Sequence, residues 1–403
     1  MLISLTDRRC FMSSASKTAN ARTAKSAKSS PSGASGSTAS PHQAKRRTHA
    51  PSIVGMHHGM TELEQVQIAG YNLEVEDGDG FVGDRASKTA FRAMLEQWRR
   101  RYRDRGLKDP WGKRPASALG KKQLDRAIAQ DRASPAADLV HGAIEEFAQA
   151  LAQVIQRFLR QKSWRGVKRI VIGGGFPESD VGERAILQAA ALCHEAELPV
   201  ELARLRHDVD DGGLIGWVHL APAHLIEHYD ALLAIDLGGT NARCGIVSLR
   251  REKAPDFSRA RVEHRLKWRH ADDEPSRTAL VAGLARLLQA QIDWAARKKI
   301  RLAPFIGIAC PGLIREDGSI ARGAQNLPGN WAADTFHLPT ALREAVPMIG
   351  SAPTQVLMHN DAVVQGLSEL PFMTDVKRWA VLTIGTGLGN VSFVNRRVKR
   401  PAD

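Results

Sequence analysis

The sequence predicts an α/β protein. Short apolar runs of strand length alternate with longer segments whose apolar residues recur at helical spacing, and several of the strand-like runs end in glycine clusters. At 403 residues, with 43% hydrophobic and 25% charged side chains, the chain has enough apolar material for a core spread over two or three domains.

The elements follow in order. Residues 1–50 are Ser, Ala, Lys, Thr, Gly and Pro with few large apolar groups, and are expected to form a disordered basic tail. Residues 60–84 read as short strands and turns ending in Glu76-Asp-Gly-Asp-Gly80, and a helix is expected from Lys88 to about Arg105. Leu139, Ile144, Phe147, Leu151, Ile155 and Leu159 predict a helix over Ala136 to Arg160. Val167 to Ile172 is a buried strand running into Gly173-Gly174-Gly175. A helix over Glu183 to Ala196 and a strand over Pro199 to Leu205 come next. Asp210-Asp-Gly-Gly-Leu-Ile-Gly-Trp217 is expected to lead into an apolar helix reaching about Tyr229.

From Ala231 to about Leu249 the pattern is strand, hairpin, strand. A helix from Ser276 to Lys299 feeds a strand over Phe305 to Ala309, then a turn-rich stretch from Cys310 to Trp331. Val356 to His359 is a strand, and Asn360-Asp-Ala opens a helix. Arg378 to Ile384 is a strand ending in Gly385-Thr-Gly-Leu-Gly389, with Val391 to Asn395 returning.

Composition excludes several classes. No apolar run approaches the roughly 18 residues of a membrane helix, so no membrane partner is expected. The first residues lack the apolar stretch of a secretory signal, although the basic, Ser-rich tail leaves an organellar transit peptide open. Cys10, Cys193, Cys244 and Cys310 are isolated, which argues against a disulfide framework and against a cysteine zinc site and favours the cytoplasm. The net charge is +14, and residues 1–61 supply +8 of it, from nine Lys/Arg against Asp7. A solvated arm accounts for this better than a specific nucleic-acid element, and the Arg99-Arg100-Arg101, Arg103, Arg105 cluster reads as a solvated helix face.

The chemistry concentrates in three places. Asp236-Leu-Gly-Gly-Thr-Asn-Ala-Arg243 follows an apolar strand, and Gly385 to Gly389 follows another. Backbone N–H groups at such turns can approach phosphate oxygens without interference from a Cβ. Between them, Asn360-Asp361 closes a third strand. Phosphoryl transfer needs donors around the phosphates, Mg²⁺ and a carboxylate at the attacking hydroxyl. Asp236 suits Mg²⁺ through water and Asp361 suits the base, with an unperturbed pKa near 3.9 that leaves it ionised at neutral pH. Taken alone, Asp361 would read as a helix N-cap; the two glycine turns favour the catalytic role.

These residues resemble the repressor–ORF–kinase (ROK) family of glucokinase-like sugar kinases. The resemblance rests on Asp236-Leu-Gly-Gly-Thr240 with Arg243, Pro311-Gly312 through Asn326-Leu-Pro-Gly-Asn-Trp331, Asn360-Asp361-Ala362, and Gly385-Thr-Gly-Leu-Gly389. It implies a two-lobed actin-like ATPase (ribonuclease-H-like) fold and transfer of the γ-phosphoryl group of ATP to a hexose hydroxyl, glucose O6 being the leading choice. It also implies Mg²⁺ as cofactor, Asp361 as general base, and Asn360, Asp361 and Asn326 at the sugar. The phosphates are assigned to Asp236, Gly238, Gly239, Thr240, Asn241, Arg243, Gly385, Thr386, Gly387 and Gly389.

Only fourteen residues follow Gly389, and the family's remaining pattern resembles the front of the chain. Val167 to Gly175 is similar to the strand and glycines beside the adenosine, which assigns Gly173, Gly174 and Gly175 to the nucleotide, and Asp211 to Gly216 is similar to the start of the family's last helix. A circular permutant is therefore expected, with the old ends joined near Tyr229-Asp230. Residues 51–209 completed by 371–403 would form the larger lobe, and 210–370 the smaller lobe. The family's Gly-Glu-x-Gly-His segment is replaced by Met60-Thr-Glu62-Leu-Glu64-Gln65, and its Cys-x-Cys-Gly cluster has no counterpart, so no zinc is expected. Glu62 and Asp84 are assigned to the sugar on this basis. The sugar's identity, ATP against polyphosphate as donor, and a homodimer stay open. A sugar-sensing regulator and a non-catalytic pseudokinase are the alternatives.

Overall fold

The apolar runs of the sequence assemble into two five-stranded sheets. In the computed structural model the described residues are 57–397, apart from 79 and 132. The low-complexity stretch 1–50 lies outside them. The longer strands are β1 (Val66–Tyr71), β2 (Arg169–Gly173), β3 (Glu201–Arg204), β4 (Ala231–Leu237), β5 (Ala242–Ser248), β6 (Arg261–Trp268), β7 (Leu302–Cys310), β8 (Gln355–Asn360), β9 (Arg378–Ile384) and β10 (Leu388–Asn395). The first sheet has the order β1-β10-β9-β2-β3 and the second β8-β7-β4-β5-β6.

The two sheets repeat one pairing pattern. In the second, β4, β5 and β6 form an antiparallel meander, and β7 and β8 add in parallel on the other side of β4. In the first, β9, β10 and β1 form the meander, and β2 and β3 add in parallel beside β9. The pattern runs in chain order in the second sheet. In the first it begins with the last two strands of the chain and continues with its first three.

The helices are α1 (Lys88–Asp104), α2 (Lys121–Ile128), α3 (Pro135–Leu159), α4 (Asp180–Glu195), α5 (Val209–Ile215), α6 (Arg277–Arg297), α7 (Leu338–Ala345) and α8 (Asp361–Leu367), with a single turn at Ala223–Ile226. They cover both sheets because β2, β4 and β9 are apolar on both faces, as parallel strands flanked by helices must be. Phe91, Leu95, Phe147 and Leu151 of α1 and α3 pack with Ile172 and Leu382 on the outer face of the first sheet. Leu280, Leu284 and Leu342 of α6 and α7 cover the second with Leu233 and Ile306. Between the sheets, Leu214, Trp217, Val363 and Val364 join Val171 and Val381 to Leu232 and Phe305. All of this lies in one compact unit, and among the described residues no helix is long and apolar enough to cross a membrane.

Several elements depart from expectation. The apolar stretch after Asp210 is not one helix. α5 ends at Ile215, a 3₁₀ turn spans Gly216–His219, and Pro222 starts the separate turn Ala223–Ile226, because proline has no N–H to continue a helical ladder. β6, α2 and α7 were not expected. The arginine cluster on α1 is not wholly a solvated face: Arg99 is 1% exposed, with Nε donating to Asp109 Oδ2 at 3.0 Å and Nη1 to Glu96 Oε2 at 2.7 Å. A buried guanidinium needs such partners.

α1 begins where expected, and its cap has a measurable value. Ser87 is buried, and its Oγ accepts from Ala90 N at 3.0 Å. Ser87→Ala should cost about 1 kcal/mol of stability, read as a lower urea midpoint. An unchanged midpoint would show that the cap contributes nothing.

Candidate active site

The repeated pattern places one glycine turn on each sheet, between the first and second strands of the meander, and both turns line a single cavity of about 440 Å³. On the second sheet the turn joins β4 to β5, closed by Gly238 N donating to Asn241 O at 2.9 Å. Gly238, Gly239, Thr240 and Asn241 all face the cavity. A Cβ at Gly239 would lie 2.8 Å from Asn326 Cβ, so only glycine lets the turn sit against that loop. On the first sheet the turn joins β9 to β10, with Gly385 N donating to Gly387 O at 2.9 Å; Gly385, Thr386, Gly387 and Gly389 line the cavity. Gly174 and Gly175, beyond the end of β2, line it too. Gly173 does not; it is the last ladder residue of β2, opposite Thr383.

Four carboxylate residues line the same space, Glu74, Asp84, Asp236 and Asp361, and the last two lie at strand ends. Asp236, near the end of β4, is held by Arg243 Nη1 at 2.9 Å, and Arg243 also donates through Nε to Asp210 at the start of α5. Lys267 Nζ completes this network on Asp210 at 2.8 Å. Arg243 lines the cavity and, through Nε and Nη1, is the counter-ion of Asp236 and Asp210. Burial raises the Asp236 carboxyl above its ordinary range, against the pull of Arg243.

Asp361 is the first residue of α8. The cap is Asn360: its Oδ1 accepts from Ala362 N at 3.0 Å and Val363 N at 3.3 Å, and its Nδ2 donates to Gly312 O at 2.9 Å. Asn360 is 2% exposed and spends its amide on these structural bonds, which corrects its assignment to the sugar. Because Asn360 takes the capping role, Asp361 is left to the cavity, with Oδ1 accepting from Ala362 N at 2.8 Å. Burial first, and the Asp236 carboxylate second, push the Asp361 carboxyl up to about 6. The unperturbed value near 3.9 therefore does not apply.

The remaining expected residues divide. Asn326 and Asp84 line the cavity. Glu62 does not: it is exposed, accepts from Gln67 Nε2 at 2.7 Å and pairs with Arg396 beyond the end of β10. Its place in a family-like segment suggested a ligand, but an edge-strand ion pair accounts for it. Sequence reasoning also missed Lys88, Arg269 and Gln365, all lining residues. Gln365 had a signal, since it lies one helical turn after Asp361 on the same face of α8. Lys88 and Arg269 had none, being separated in sequence from every motif.

No known family's sequence profile matches the chain, and no curated protein sequence matches it. Among the solved structures to which it is similar over part of its length are the following three. One is described as a candidate sugar kinase from Cytophaga hutchinsonii, with 20% identity over 43% of this chain and 50% of that one, and a TM-score of 0.31. The second is a candidate N-acetylmannosamine kinase from Listeria monocytogenes, with 22% identity, the same coverages and a TM-score of 0.31. The third is a ROK family glucokinase from Streptomyces griseus in complex with glucose and AMPPNP, with 16% identity over 43% of this chain and 47% of that one, and a TM-score of 0.31. The chain thus spans about half the length of the structures it matches.

Proposed function

We propose that the protein is a hexose kinase that transfers the γ-phosphoryl group of ATP to a sugar hydroxyl, glucose O6 being the first candidate, with Asp361 as general base. The observation that carries this reading is the position of Asp361. It is a carboxylate of raised pKa, freed from capping by Asn360, in one cavity with two glycine turns. A general base works best when its pKa lies near the operating pH, where it is ionised yet still basic. Oδ1 accepts from Ala362 N, and the carboxyl lines the cavity in which an attacking hydroxyl would present its proton. The turns offer backbone N–H groups to the donor phosphates. Asn326 and Asp84 supply polar groups for sugar hydroxyls.

Magnesium fits this residue set. Asp236 commits one oxygen to Arg243, leaving a hard oxygen near the glycine turn. Among the described residues no group of three His, Cys, Asp or Glu side chains could cage a metal. An ion here would ride on phosphate oxygens and water, with Asp236 orienting its shell and the ion neutralising phosphate charge.

We read the fold as a circular permutant of the two-lobed actin-like arrangement, with 51–209 and 371–403 forming one lobe and 210–370 the other. The support is the repeated sheet pattern, which the first sheet completes only by taking β9 and β10 ahead of β1. Such rearrangement is tolerated when the original ends lie close together at the surface.

A coupled assay of ADP release across a panel of hexoses tests the function. Release should require both sugar and Mg²⁺. Sugar binding without release for any hexose would favour the pseudokinase or regulator reading.

A further inference from the structure

Three cationic side chains line the cavity: Arg243, Lys88 and Arg269. Arg243 is occupied by Asp236 and Asp210. The other two are placed differently, each fastened to one of the glycine turns. Lys88 opens α1, and its N–H donates to Gly385 O at 2.9 Å while Thr89 Oγ1 donates to Thr386 O at 2.8 Å. Arg269 follows β6. Beside it, His270 Nε2 lies 2.8 Å from Gly238 O and Ala271 N donates to Thr240 O at 3.2 Å. Backbone geometry therefore attaches one cation to each turn.

Among the described residues, neither cation forms an ion pair with a carboxylate that lines the cavity. Among the described residues no carboxylate pairs with the Lys88 ammonium. Burial and then two cations, Arg92 and Arg269, lower its pKa, with no acid acting in the other direction. Arg92 itself is tied back to Ala116 O at 3.2 Å. Arg269 uses Nε on Asp272 at 2.8 Å, an exposed pair of small value, and keeps its terminal nitrogens. Two like charges directed into one cavity raise each other's energy until an anion comes between them. A neutral sugar would not supply that compensation, whereas a phosphoanhydride chain would.

We propose that Lys88 and Arg269 form a two-sided clamp on the phosphoanhydride chain of the phosphoryl donor, one cation holding it from each glycine turn. The inference rests on the kinase reading for what the bound chain is used for, but not for the binding itself. The same chemistry is carried by a nucleoside triphosphate and by inorganic polyphosphate. A lysine ammonium and an arginine guanidinium both suit phosphate oxygens, the second with paired donors.

The test uses the full chain with Mg²⁺ and two probes, AMPPNP and sodium tripolyphosphate, titrated into wild type, Lys88→Met, Lys88→Arg, Arg269→Met and the double methionine variant. Each methionine variant should lose about tenfold or more in affinity for the better-bound probe, the size expected of a lost charge-assisted contact. Lys88→Arg should restore most of the Lys88→Met loss, and hexose affinity should be unchanged throughout. The probe that wild type binds more tightly identifies the source of the chain. Wild-type affinity for both probes in Lys88→Met and Arg269→Met, or equal loss of hexose and probe binding, would overturn the clamp. If wild type binds a probe in a clamp-dependent way yet transfers phosphate to no hexose, the clamp stands and the kinase reading falls. If transfer proceeds with an unchanged donor KM in both methionine variants, the clamp falls and the kinase reading stands.

Discussion

Asp361→Asn should lower phosphoryl transfer to the hexose by about 10²- to 10⁴-fold, the usual value of general-base assistance, while sugar and donor affinities stay measurable. The substitution keeps the shape of the side chain and an oxygen able to accept from Ala362 N, as Asp361 Oδ1 does at 2.8 Å. It removes only the capacity to take a proton. The fold should not suffer. Burial and the Asp236 carboxylate hold the Asp361 pKa at about 6, so the folded state binds this proton more tightly than the unfolded chain does. The associated stabilisation is complete below the unfolded value near 3.9 and is lost as pH rises through about 6. At pH 7 the ionised carboxylate is thus a liability that asparagine relieves, and the urea midpoint should hold or rise. Wild-type kcat/KM should fall about tenfold per pH unit below about 6, because protonated Asp361 cannot act as a base, and should level off above it. Near-normal turnover in the variant, or a flat profile down to pH 5, would remove Asp361 from the chemistry.

Much of this site was legible because its pieces are local. An apolar strand, two glycines and a returning strand make a hairpin by short-range rules, and so Asp236 to Arg243 and Gly385 to Gly389 are recognisable without tertiary information. The helix over Pro135–Leu159, expected over Ala136 to Arg160, follows from apolar periodicity in the same way. Long-range features were not legible. β6 is an edge strand of half-exposed residues, Arg-Val-Glu-His-Arg-Leu-Lys-Trp, whose charges hide its alternation. The division of labour between Asn360 and Asp361 depends on Gly312 O, which lies on a loop far along the chain. The pairing of Arg243 with Asp210, which comes from a separate helix, could not be read from the turn itself. Lys88 acquires meaning only from the bond tying its backbone to one turn, and Arg269 from the bonds that its neighbours His270 and Ala271 make to the other. Residue type and spacing located the phosphate turns; the charges around them are a property of the fold.

The contact of β2 with β9 gives the largest expected structural effect. Gly174 follows β2 with φ of +87°, and a Cβ there would lie 2.5 Å from Ile384 O and 2.6 Å from Ile384 N. Gly174→Ala must therefore hold an L-residue in left-handed backbone, at about 1–2 kcal/mol, and also displace main chain, at about 1–3 kcal/mol. A combined loss of about 2–5 kcal/mol is expected as a lower urea midpoint. The control is the next residue: Gly175 has no atom within 4 Å of its would-be Cβ, so Gly175→Ala should shift the midpoint far less. The same substitution should reach the site. Ile384 accepts from Phe176 N at 3.1 Å and directly precedes Gly385, whose carbonyl carries the start of α1 and with it Lys88. Pushing Ile384 away from Gly174 would move the second glycine turn and one cation with it, so tripolyphosphate affinity should fall together with stability, while Gly175→Ala separates the effect of a methyl group in the cavity from that of a displaced turn. If Gly174→Ala proved as stable as Gly175→Ala, strands from the front and the end of the chain would not meet this closely, and the argument for one continuous first sheet would lose its tightest contact.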